Sequence, residues 1–107
     1  KYPHASTPVP KDNGTDAKAD ADLMWLGAYG VEQHEVYWAY DEQTVENAST
    51  QHSAFKGTFT GKDNIYSFDK PLAAGKTIYW RVDAIKPNGQ RVKGDVWHWK
   101  QCPSRAI

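Results

Sequence analysis

"TIYWRVDAIKPNGQRVKGDVWHWK", from Thr77 to Lys100, decides the fold. In its first half Ile78, Trp80, Val82 and Ala84 alternate with Tyr79, Arg81, Asp83 and Ile85, and in its second half Trp97 and Trp99 stand two apart. Side chains on a strand point alternately to opposite faces, so each set of residues two apart shares a face. Between the halves, Asn88-Gly89 suits the positive φ of a tight hairpin turn. The stretch therefore predicts two antiparallel strands that turn their indoles inward.

The same device recurs upstream. Leu23 and Trp25 are two apart and are followed by Gly27 and Gly30; Val36 and Trp38 oppose Glu35 and Tyr37; Tyr66 and Phe68 form another such pair. Turn signals stand at Asp12-Asn13-Gly14 and at Ala73-Ala74-Gly75. The polar middle, "TVENASTQHSAFKGTFTGKDN", predicts a short edge strand and loops, and no helix-period stretch of useful length appears. Short strands at steady spacing predict an all-β, immunoglobulin-like sandwich of about seven antiparallel strands. All five tryptophans fall on faces that point inward, where each buries roughly 150–250 Å² and contributes a gross gain of about 4–6 kcal/mol.

Length and composition agree. The 107 residues give one domain with one core, expected at 11–100, with an extended lead-in or linker at 1–10 and a tail at 101–107. The single Cys102 excludes an internal disulfide and a zinc site built from several thiolates. No run approaches the roughly 20 apolar residues of a membrane span. Thirteen basic and thirteen acidic side chains cancel, so no whole-molecule field draws in nucleic acid or an anionic membrane. The halves differ: residues 1–53 hold three Lys against nine Asp or Glu, and residues 54–107 hold ten Lys or Arg against four Asp. Interleaved strands would neutralise that asymmetry; segregated ones would leave a basic patch.

The runs "LMW", "VYWAYD", "VENAS", "FKG", "PLAAGKTIYWRVDAI" and "KGDVWHW" resemble the fibronectin type III superfamily, from Pro8 to Trp99, and more narrowly its modules in secreted bacterial polysaccharide-active proteins. One departure stands out. The tyrosine usual six residues after the leucine of the E–F corner is Ile78 here, counted from Leu72. The resemblance implies a monomeric, secreted or cell-surface accessory module beside a neighbouring catalytic domain. It would serve as a spacer or, alternatively, as a carbohydrate-binding module for an acidic or sulfated polysaccharide.

Signals for chemistry are sparse. There is no Gly-x-Ser-x-Gly, no phosphate loop and no RNA-binding signature; His4, His34, His52 and His98 lack metal-site spacing, and Asp12, Asp16, Asp20 and Asp22 do not fit a calcium loop. No catalytic residue, metal or cofactor is expected. Binding is the stronger expectation. In the fibronectin arrangement the strands holding Tyr37, Tyr79 and His98 are neighbours, so Tyr37, Tyr79, Arg81 and His98 would form an exposed cluster suited to sugar faces and acidic groups. Lys86, Arg91 and Lys93 of the hairpin would extend a basic rim beside it or, alternatively, keep a terminal strand from pairing with another molecule. The competing expectation is that they are cross-strand pairs, with Arg81 satisfied by Glu35 or a neighbouring Asp.

Overall fold

A computed structural model describes residues 5–9, 12, 14–17, 22–28, 30–31, 33–60, 64–68 and 75–101. In chain order the elements are β1 (Ser6–Val9), β2 (Gly14–Ala17), β3 (Leu23–Leu26), β4 (Gln33–Ala39), α1 (Glu42–Asn47), β5 (Phe55–Thr60), β6 (Ile65–Tyr66), β7 (Thr77–Ile85), β8 (Arg91–Val92) and β9 (Val96–Gln101). They build an immunoglobulin-like sandwich. One sheet runs β1-β3-β6; the other runs β2-β9-β7-β4-β5, with β8 added beside β7. β1, within the stretch expected as lead-in, pairs antiparallel with β3. Ala73, Ala74 and the corner at Leu72 lie outside the described residues.

The alternation of the deciding stretch appears as expected. β4 and β9 flank β7 in antiparallel register, with Trp38 opposite Trp80 and Trp80 opposite Trp97. Leu23, Trp25, Val36, Ile78, Trp80, Val82, Trp97 and Trp99 form the buried core between the sheets, with Trp38 packed at its margin. Trp80 is fully buried at the centre, edge-on to Trp25, Trp97 and Trp99 at ring separations of 6.5, 4.8 and 6.5 Å. The hairpin turn also forms where Asn88-Gly89 placed it: Gly89 takes φ +91° and its N–H bonds to the Lys86 carbonyl.

The helix was not foreseen. Glu42–Asn47 form α1, which runs from the end of the expected third strand into the segment from Thr44 expected to hold only an edge strand and loops. Asp41 starts it: the Asp41 carboxylate accepts from the Thr44 N–H and the Thr44 hydroxyl, both at 2.9 Å, satisfying a donor left open at a helix N-terminus. These hydrogen bonds hold the Asp41 carboxyl below its ordinary pKa. Six residues are too few to sustain a helix alone, so burial of Val45 against the sheet must hold it.

The inner face of β4 contributes one buried titratable group. His34 is 1 % exposed, edge-on to Trp25 at 6.1 Å, and its Nε2 accepts the Ala28 N–H at 3.1 Å. That bond requires the neutral ring, and burial lowers its pKa from 6.5. Below about pH 6.5 the unfolded chain therefore binds a proton that the folded chain refuses. Stability is lost progressively as pH falls from there towards the depressed folded value, by up to about 1.4 kcal/mol per pH unit. Urea denaturation between pH 7.5 and 5 should show this loss in the wild type and a smaller one in His34→Gln. Equal slopes would refute the assignment.

Candidate functional site

The outer face of the larger sheet carries Tyr37 and Glu35 on β4, Tyr79, Arg81 and Asp83 on β7, and Val96 and His98 on β9, as the alternation predicts. Their exposure is where expectation fails. α1 and the segment after it lie across this face, and Tyr37 joins Val45, Ala48 and Ala54 in a second buried cluster. Tyr37 is 1 % exposed, Arg81 3 %, Asp83 1 % and Glu35 7 %. The expected open Tyr37, Tyr79, Arg81 and His98 platform is thus corrected. Tyr37 and Arg81 lie beneath the helix, while Tyr79 and His98 remain half-buried beside each other, rings 5.6 Å apart.

Arg81 explains why the helix stays down. Its Nε donates to Asp83 Oδ1 at 2.8 Å and its Nη2 to Oδ2 at 3.0 Å. The remaining donors reach the carbonyls of Val45 (2.7 Å), Glu46 (3.1 Å) and Ala48 (3.0 Å), at the C-terminal end of α1. All five guanidinium N–H groups are used, and the cation sits 4.1 Å from the centroid of the Tyr37 ring. A cation at a helix C-terminus also meets the negative end of the helix dipole. The expectation that Arg81 pairs with a neighbouring Asp therefore describes it, with three backbone acceptors added.

Asp83 extends the tie. Its Oδ1 also accepts the Gly94 N–H at 3.0 Å, which anchors the loop between β8 and β9. Gly94 is required by the approach of that loop, since a Cβ there would lie 2.0 Å from the Val82 carbonyl oxygen.

Above this buried floor lies a recess of about 400 Å³, bounded by the end of α1, residues Asn47–Thr50 and the segment carrying Arg91 and Lys93. Arg91, about half exposed, grips Glu35 side-on, Nε to Oε1 at 2.7 Å and Nη2 to Oε2 at 3.1 Å. Lys93 pairs with Glu46 across the mouth, both side chains about half exposed, and this contact lowers the Glu46 pKa. At the bottom, burial first and then the Glu35 and Asp83 carboxylates push the Tyr37 hydroxyl above its ordinary pKa. That hydroxyl donates to Glu35 Oε1 at 3.5 Å.

These pairs also decide the question of charge asymmetry. Arg91 with Glu35 and Lys93 with Glu46 each join the basic half of the chain to the acidic half. Interleaved strands neutralise the two halves at these points. Among the described residues no three His, Cys, Asp or Glu side chains gather closely enough to hold a metal ion, and no helix is long and apolar enough to cross a membrane.

Sequence reasoning reached the right face, with Arg91 and Lys93 as a basic rim beside it, but missed the recess and its opposite wall, Glu46 and Asn47. One signal was present: Asp41 ahead of Glu42-Gln43-Thr44-Val45-Glu46 is an N-cap followed by tolerable helix formers.

No family model and no curated protein sequence matches the chain. Among solved structures the chain is similar to CopC from Methylosinus trichosporium OB3b, with a TM-score of 0.55 over 97 % of each chain at 12 % identity. The role expected from the resemblance, spacer or glycan binder in a polysaccharide-active protein, is corrected by this match: the whole-chain likeness is to CopC and not to such an accessory module. At this identity the likeness establishes the shared fold, an immunoglobulin-like β-sandwich.

Proposed function

We propose that this chain is a non-catalytic ligand-binding domain, and that its binding surface is the polar recess between α1 and the segment carrying Arg91 and Lys93. One observation carries the reading. A rigid floor of buried, fully bonded polar groups, Arg81 and Asp83, supports a concave rim on which Arg91, Lys93 and Glu46 are each about half exposed. Breaking the buried pair by removing one partner costs about 3–5 kcal/mol, whereas an exposed pair contributes roughly 0–1 kcal/mol. The floor is therefore structural, and the exposed Lys93–Glu46 pair can change partner cheaply.

The volume supports a small ligand, since about 400 Å³ lies near the lower end of the roughly 300–1,000 Å³ typical of small-molecule sites. The domain acts as a monomer in this reading.

The test is an amide NMR titration of the labelled chain with a panel of small anionic, cationic, zwitterionic and neutral compounds at millimolar concentration. Saturable shifts confined to Asn47–Thr50 and Arg91–Gly94 are expected. Their absence across the panel would refute a binding role for the recess.

A further inference from the structure

The recess is balanced in charge but divided in space. Arg91 and Lys93 stand on one side, on β8 and the loop after it, and Glu46 stands on the other, on α1. With Glu35 beneath Arg91 and Asp83 beneath Arg81, each cation near the site has a carboxylate partner. A ligand with a single charge that opened the Lys93–Glu46 pair would leave one of its members without a partner. A ligand that carries both signs would not.

Arg91 also has donors to spare. Glu35 occupies the Nε/Nη2 edge of the guanidinium, and among the described residues Nη1 makes no hydrogen bond. The end-on Nη1/Nη2 edge is thus free for a second, planar, bidentate acceptor, which is the geometry of a carboxylate. Lys93 and Glu46 face each other across the mouth, and both are about half exposed.

Resting on the ligand-binding reading above, we propose that the recess takes a small zwitterion of the α-amino-acid class. Its carboxylate meets the end-on edge of Arg91 and the ammonium of Lys93, and its ammonium meets the carboxylate of Glu46. The Lys93–Glu46 pair opens on binding, and each of its members gains a partner of the same sign as the one it gave up. No group on the buried floor changes partner. Formal charge in the recess is the same before and after binding.

The experiment compares three probes of one skeleton by amide NMR titration: L-alanine, N-acetyl-L-alanine and L-alaninamide, which present both charges, the anion alone and the cation alone. L-alanine is expected to shift the Asn47–Thr50 and Arg91–Gly94 amides saturably, with the blocked forms weaker by about threefold to tenfold. Lys93→Gln and Glu46→Gln change only half-exposed side chains, so both variants retain the fold, read by the unchanged amide spectrum elsewhere. Each is expected to weaken L-alanine by about threefold to tenfold, and in Lys93→Gln the preference over alaninamide should shrink most. If a blocked form binds as tightly as L-alanine, or both variants bind it undiminished, the zwitterion assignment is overturned while the recess remains a binding site. If none of the three probes shifts the recess but other compounds of the wider panel do, the same holds. Silence across that whole panel overturns both.

Discussion

Asp83→Ala is expected to destabilise the fold by about 3–5 kcal/mol, a fall in Tm of at least about 12 °C for a domain of this size. The reason is the state in which Arg81 is left. Its side chain is 4 % exposed, so its charge cannot regain water when the carboxylate goes. The Gly94 N–H loses its acceptor in the same step. Urea denaturation with circular dichroism reads the effect, and a loss below about 1 kcal/mol would sink the view that this pair holds the floor.

Two comparisons sharpen the result. Removing both charges in Arg81→Met/Asp83→Leu should cost less than Asp83→Ala alone, because no buried charge then lacks a partner. That double variant still loses the three bonds to the end of α1, so helix detachment should show as faster amide exchange at Val45–Ala48.

Trp80→Ala is expected to cost about 3–5 kcal/mol through the cavity it opens between the sheets. Trp80 touches Trp25, Trp97 and Trp99 edge-on, and large rings on strands of two sheets cannot collapse far into the space. Trp80→Phe should cost clearly less, since it keeps most of the ring volume and removes a buried indole N–H that has no hydrogen-bond partner among the described residues. Equal losses for the two variants would mean that packing volume at this position does not set stability.

The two positions sit next to each other on β7, and their neighbours show how far local pattern reaches. Trp80 and Arg81 point to opposite faces, as alternation requires, and both are buried. The inward burial of Trp80 was legible because an apolar alternation has one low-energy destination. The burial of Arg81 was not, because a charged alternation points to water unless some other segment arrives with acceptors. That segment is Val45–Ala48, whose carbonyls lie 33 to 36 residues away in the chain.

The same holds for the site as a whole. Tyr37, Tyr79, Arg81 and His98 were rightly placed on one face, with Arg91 and Lys93 beside it, yet Glu46, which faces those cations across the recess, is connected to them by no spacing. Asp41 marked a helix start, but α1 is a single short stretch whose stability comes from Val45 packing on the sheet and from Arg81 at its end.

By itself, then, the order of residues determined the strands, their facing and the indole core, because hydrophobic burial with period two is a local code that any sandwich must satisfy. What covers the outer face, which charges pair and where a concave surface opens were decided only by tertiary structure. Those outcomes depend on long-range partners competing with water for each polar group, a competition settled by desolvation and geometry between segments and not by the pattern within one.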